Sequence, residues 1–426
     1  MNNAPEIKGW CPGALAPMQS GDGLLMRAKI VGSKLTLLQA GEIAAISRDC
    51  GNGLLDLSQR AQLQMRGLSE ETRDAAQLRL KSINLLARDA ATESRLNIIA
   101  SPLAGSVAFD ANEIAARLAQ AIAEDQALKA LPAKFLFLVD DGSTPGLRDV
   151  AADIRLEAQG ATFAVVVDGA RDLAVIAPLD AAIGAAIKLA RAFIELRAGR
   201  EFELRRMRAL VAAMGAEPLL EASGLKPAPY RSTCHAGLLS DLLGARQAGQ
   251  DFFAVVAAPF GRLLARDLAK LAEAALQTGA KELRLTPWRA MLTPTQSLEQ
   301  AAHIVEAARA LGLIVDAGDA RLAIAACPGA PECSQARGAT RSGLDAIAGF
   351  AKALSPGGVG LHVSGCAKGC AKPSATPLTL VANDGAFDLI YNGAPGDAPV
   401  AKRLTLGEIA SVLAQRGSTE ALCPTR

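Results

Sequence analysis

ACPGAPEC at residues 326–333 and HVSGCAKGC at residues 362–370 decide the reading of this chain. Together they hold Cys327, Cys333, Cys366 and Cys370, half of the eight cysteines, as a C-x5-C and a C-x3-C pair. Thiolates are soft ligands, and four of them usually hold an iron–sulfur cluster. The corners of a cubane stand apart, so each pair needs a loop rather than one helix face. Pro328-Gly329-Ala330-Pro331 breaks a helix, and such a loop would turn backbone N–H groups toward cluster sulfurs. Gly365 and Gly369 permit close backbone approach, and Lys368 and Lys372 would offset part of the thiolate charge. Two readings compete with the cluster. Structural zinc prefers C-x2–4-C pairs, for which C-x5-C is wide, and the four cysteines could be unliganded core residues. The spacing favours the cluster.

The remaining cysteines, Cys11, Cys50, Cys234 and Cys423, are scattered. MNNAPEIKGWCPG at the N-terminus has no basic region followed by an apolar one. A cytoplasmic location is therefore expected, where structural disulfides are rare. No run of about 18 uncharged apolar residues occurs, so no membrane span is expected. A formal net charge of +2 provides no global field for nucleic acid. Any anionic ligand must be held by local arginines and lysines. With 426 residues, 50% hydrophobic and only 4% aromatic, the chain has material for two to four units with aliphatic cores.

A strand–helix–strand pattern occurs twice. LLMRAKI (24–30), a helix over 35–48 and a strand over 54–57 precede SQRAQLQMRG (58–67). FAVVA (253–257), a helix ending at Gly279 and a strand over 283–285 precede Arg289. Gly32 with Arg60 and Gly261 with Arg289 have equal spacing, as do the leucines after Gly51 and Gly279; one-residue slips separate these anchors. The pattern reads as an internal duplication. LNIIA (96–100), FLFLV (135–139), TFAVVV (162–167), 312–315, 322–326 and 378–381 read as further strands, and 201–250 as the connector between halves.

ACPGAPEC followed by HVSGCAKGC resembles the cluster motif of the sulfite and nitrite reductase superfamily. The resemblance covers nearly the whole chain. It implies an α+β, duplicated sulfite/nitrite reductase-like fold, with two ferredoxin-like halves plus two larger α/β halves related by pseudo-two-fold symmetry. The implied units are 10–78, 79–225, 226–315 and 316–426, the last carrying a 4Fe-4S cluster on the four cysteines. In the reductases the last cysteine, here Cys370, also bridges to sirohaem iron. Within the superfamily, CPGALAPMQSGDGLLMR (11–27) and GNGLLDLSQRAQLQMRGL (51–68) most resemble the precorrin-3B synthase family. That resemblance implies O2-dependent hydroxylation of precorrin-3A with closure of a γ-lactone. It also implies a mononuclear non-haem iron beside the cluster, with NADH as the ultimate electron source.

Precorrins and sirohaem are polycarboxylates, which forked guanidinium groups recognise. Arg60 and Arg66 follow the second strand at even spacing, Arg88 precedes LNIIASPLAG, and Lys134 lies in LPAKFLF, which resembles a cofactor-binding segment of the reductases. All four are candidates for substrate carboxylates. Leu136 stands where the reductases carry a second lysine, Ala367-Lys368 where they commonly have Pro-Asn, and Asp89 where they have Asn. Loss of a cation weakens the sulfite-reducing reading and leaves tetrapyrrole binding intact. A sirohaem-dependent reductase is the alternative, and a non-catalytic electron-transfer protein a third.

The mononuclear iron has no legible ligand set. Of the three histidines, His303 reads as structural, His362 as orienting the cysteine loop and His235 as a bystander. Carboxylates, substrate or water could serve instead. Met18–Gly23 is not a dinucleotide fingerprint, so a separate reductase or carrier is expected to deliver electrons to a monomer.

Overall fold

The structure is a computed structural model that describes residues 11–103 and 108–417. Residues 1–10, read above for an export signal, and Cys423 lie outside the described residues. The chain begins with β1 (Met18–Ser20), β2 (Gly23–Arg27), β3 (Lys34–Thr36), β4 (Leu54–Leu57) and β5 (Leu63–Leu68). The helix Leu37–Cys50 lies between β3 and β4. Thr36 starts it by accepting from Gln39 N, and the Gln39 side chain reaches back to the Thr36 backbone, a reciprocal cap that satisfies two orphan donors.

Next come β6 (Ile98–Ala100), β7 (Phe137–Asp140), β8 (Ile154–Gln159), β9 (Thr162–Val167), β10 (Leu173–Ala177) and the short β11 (Ala228–Pro229). The second half supplies β12 (Gly244–Ala248), β13 (Asp251–Ala257), β14 (Arg262–Leu264), β15 (Glu282–Leu285) and β16 (Ala290–Thr295). It ends with β17 (Ile324–Ala326), β18 (Leu361–Ser364), β19 (Thr376–Asn383), β20 (Ala386–Gly393) and β21 (Ala401–Leu404).

These strands form four sheets in two matching pairs. The first pair has the orders β1-β2-β5-β4-β14 and β12-β13-β16-β15-β3. Each sheet therefore takes its edge strand from the other unit. Leu263 of β14 pairs with Leu55, and Leu35 of β3 pairs with Leu283. Leu35, Leu55, Leu263 and Leu283 are all buried in one core with the helices Leu37–Cys50 and Ala265–Gln277. Neither sheet is complete without the other. In the second pair, β6-β7-β8 and β17-β18-β19 are parallel, and the strands that follow are antiparallel in both. The helices Ala111–Glu124 and Asp345–Leu354 lie on the crossovers that the parallel joints require. FLFLV and TFAVVV are nearly continuous apolar runs because their strands are buried on both faces.

The duplication is therefore real, but its register differs from the glycine spacing. One constant offset joins Ser33 with Gly261, Leu37 with Ala265, Leu57 with Leu285 and Ala61 with Arg289. Arg60 corresponds to Trp288, not to Arg289, and no slips are needed. Residues 312–315 form no strand; Ile314 makes one isolated bridge to Ala257.

Candidate functional site

The carboxyl ends of the parallel strands β17 and β18 lie side by side, with Ala326 opposite Val363. Such strand ends are where ligands bind in open α/β sheets. Cys327 follows β17 directly. Its N–H donates to Val363 O at 3.1 Å, and Gly365 N–H donates to its Sγ at 3.1 Å. Cys333 N–H donates to Gly329 O at 2.7 Å, and Arg337 N–H to Gly365 O at 2.8 Å. The bond of Cys333 closes the first loop on itself, and the other three tie it to the second. Gly365 has to be glycine, since a Cβ there would lie 2.5 Å from Ala336 Cβ and 3.5 Å from Cys327 Sγ. Burial pushes the Cys366 thiol up, and Cys333 and Cys327 add to it against the N–H of Lys368. The Cys370 thiol, at an exposed position, is also raised, by crowding of protein around it, with Lys368 opposing and the other three cysteines adding.

Cys366 and Cys370 thus both sense Cys327 and Cys333. Among the described residues, no three His, Cys, Asp or Glu side chains are placed to grip a single metal ion. Four soft donors on two adjoining loops, with an N–H on the sulfur of Cys327 and Lys368 alongside, are a donor set whose chemistry fits an iron–sulfur cluster.

A buried ion network fastens this loop to the first ferredoxin-like unit. Asp56 accepts from Arg262 and Arg341 at 2.9 Å and from Arg66 at 3.3 Å. Burial alone would raise the Asp56 carboxyl. The three guanidinium groups outweigh that and hold it far below the usual carboxylate range. Arg66 also bonds Asp22 at 2.9 Å and the Glu332 carbonyl, and Arg262 pairs with the Glu332 carboxylate.

The four basic candidates go to three different places. Arg66 is buried inside this network, where protein carboxylates engage it. Arg88 is exposed and bonds Asp89, Thr92 and the Ala123 carbonyl. Arg60 donates to the Lys134 carbonyl at 2.9 Å, and its Nη1 is buried without a partner. Lys134 contributes that carbonyl while its side chain is exposed.

Arg60 lines one of two adjoining cavities, of about 440 and 550 Å³. They share Gln59, Asp149, Gly237, Pro287 and Trp288, and so form one cleft between the sheets. Burial draws the Arg60 guanidinium down to about 10, with Arg27 and Arg206 adding and Cys11 and Asp153 opposing. Leu136 lines the smaller cavity. The larger one receives Arg289, Arg321, Lys352 and Lys372. The sequence marked Arg289 only as a repeat anchor and Lys372 only for charge; Trp288, one of two tryptophans, was a signal left unread.

His362 is fully buried on β18, and neither ring nitrogen has a partner. Burial pushes it down to about 4, with Lys372 and Arg289 adding, which keeps the imidazole neutral. It makes no hydrogen bond that would orient the cysteine loop. His303 is exposed on its helix, and His235, also exposed, lies with its backbone against Gly146 of the smaller cavity.

The fold is that of the nitrite/sulfite reductases. The Nitrite/Sulfite reductase ferredoxin-like half domain family matches residues 16–83. The solved structure of the Mycobacterium tuberculosis NirA protein superposes with a TM-score of 0.68 at 17% identity, covering 94% of this chain and 82% of that one. A precorrin-3B synthase from Sinorhizobium sp is 31% identical over 408 residues, covering 92% of this chain and 85% of that protein. The chain belongs to the precorrin-3B synthase family, and it is an enzyme. Among the described residues, no helix is long and apolar enough to cross a membrane.

Proposed function

We propose that this enzyme hydroxylates precorrin-3A with O2 and closes the γ-lactone that yields precorrin-3B. The observation that carries the reading is the cleft: it runs from Ala371 and Lys372, next in sequence to Cys370, to a basic wall that holds Arg289 and Arg60, whose Nη1 is buried without a partner. A macrocycle fringed with carboxylates suits such a wall, and charge-assisted forked bonds would fix which carbon is presented for oxidation. Cys327, Cys333, Cys366 and Cys370 would hold the 4Fe-4S cluster, which when bound accepts and returns one electron at a time. Gly365 N–H would stabilise the thiolate of Cys327, and Lys368 would offset charge at Cys370. Electrons would come ultimately from NADH through a separate reductase or carrier. The described residues do not assemble three ligands for a separate mononuclear iron.

The alternative, a sirohaem-dependent reductase, is disfavoured by Leu136, an apolar side chain in the cavity wall where a cation would be needed to hold an oxyanion. Anaerobic purification, followed by addition of precorrin-3A and O2, separates the two readings. Iron–sulfur absorbance without sirohaem bands, together with an oxygenated lactone, is the expected result. Bound sirohaem and sulfite reduction would overturn it.

A further inference from the structure

The two turns that face each other across the cleft share a backbone but not a chemistry. Ser58 N–H donates to Gln62 O at 3.0 Å and Ala61 N–H to Ser58 O at 3.0 Å. In the second unit, Thr286 N–H donates to Ala290 O at 2.9 Å and Arg289 N–H to Thr286 O at 3.2 Å. Ala61 and Arg289 both sit in the left-handed region, at φ of 51° and 59°. The first turn thus presents a cation at Arg60. The second presents an indole at the equivalent position and a cation one residue later.

Three observations set Arg289 apart from a structural arginine. First, a left-handed backbone is costly for a side chain as large as arginine, so the turn keeps it against local preference. Second, its side chain lies across Gly261, where a Cβ would stand 2.6 Å from Arg289 Cδ. Gly261 itself has φ of +76°. Third, Arg289 makes no hydrogen bond or ion pair from its guanidinium among the described residues, whereas Arg66, Arg262 and Arg341 are engaged by carboxylates. Burial, with Arg341 adding and Asp56 opposing, draws its guanidinium down. Trp288 packs against Gly237, where a Cβ would lie 2.6 Å from Trp288 Cζ2, and it lines both cavities.

We propose that Trp288 and Arg289 form a second recognition element for the macrocycle, the indole lying against its face and the guanidinium taking one of its carboxylates. This rests on the cleft being the tetrapyrrole site, and it adds a reader from the turn pseudo-symmetric to that of Arg60. Flat aromatic rings stack in offset geometry, and an arginine fork matches a carboxylate in two bonds.

Uroporphyrin, a stable planar octacarboxylate, serves as the probe, titrated against the full-length protein by tryptophan fluorescence and porphyrin absorbance. Quenching is expected in the parent protein. Arg289→Gln should weaken binding about tenfold, Arg289→Lys by less, and Trp288→Leu should weaken it and remove most of the quenching, while Trp288→Phe retains most of the affinity. Circular dichroism melts confirm that each variant is folded. If Arg60→Gln weakens binding and Arg289→Gln does not, the inference fails while the reading of the cleft stands. If Arg289→Gln shifts only the potential of the cluster, Arg289 serves the cluster and the inference fails. If the parent protein neither binds uroporphyrin nor turns over precorrin-3A, the reading of the cleft fails first.

Discussion

The two larger α/β units share one strand order, yet their strand ends differ completely. After β6 and β7 the chain closes on itself. Asp140 accepts from Gly142 N–H at 3.0 Å, Leu147 N–H at 2.8 Å and Ser101 Oγ at 3.3 Å, and Ser101 Oγ in turn accepts from Asp141 N–H at 3.1 Å. After β17 and β18, the equivalent loops gather four thiols and turn an N–H onto sulfur. The same scaffold thus carries a polar knot closed around Asp140 in one half and a set of soft donors in the other. Duplication supplies the frame, and chemistry is written into the loops at its strand ends.

The largest stability effect should come where the halves are fastened together. Asp56→Asn leaves Arg66, Arg262 and Arg341 without their shared carboxylate and should cost about 3–5 kcal/mol in denaturant unfolding. The folded carboxyl stays ionised well below the pH at which an unfolded aspartate takes up its proton. Its contribution is therefore full above the ordinary carboxylate range and fades as pH falls beneath it. The variant should lack that part of the acid slope, and an unchanged slope would remove Asp56 from the account.

Asp140→Asn tests the closed strand ends. It should cost about 1–3 kcal/mol, because an amide N–H then faces Leu147 N–H, with iron content unchanged. Here the sign of the pH effect reverses. Burial raises the Asp140 carboxyl, so its contribution is present at low pH and lost as pH rises past the ordinary carboxylate range. Gly365→Ala probes the open strand ends and should cost about 1–3 kcal/mol through overpacking against Ala336, with faster loss of iron on exposure to a chelator. Arg88→Ala is the small effect: an exposed pair with Asp89 should be worth less than about 1 kcal/mol in a thermal melt, and uroporphyrin binding should not change.

The duplicated frame was legible because apolar runs and cysteine spacing are local signals. Its register was misread because glycine marked the repeat. Each copy has two successive left-handed residues, Gly32-Ser33 in one and Phe260-Gly261 in the other, and later Ala61 and Arg289; glycine comes first in one pair and second in the other, so matching glycines moved the alignment by one residue. Residues 312–315 looked like a strand from their apolar character, but only Ile314 finds a partner. Among the basic candidates, sequence could count charges but not see which were already matched. Asp22 and Asp56 come from separate strands and turns to engage Arg66, whereas Arg60 keeps an unpartnered nitrogen at the cleft. The exchange of β3 and β14 leaves no trace in composition, because an edge strand has the same pattern whichever sheet receives it.

Iron and acid-labile sulfide content of the anaerobically purified protein, beside its Cys333→Ala variant and a triple variant of Cys11, Cys50 and Cys234, tests the central claim most directly. About four iron and four sulfide per chain in the parent and the triple variant, with the cluster absorbance lost in Cys333→Ala, is the predicted result. A full cluster in Cys333→Ala, or one zinc and no sulfide in the parent, would contradict it.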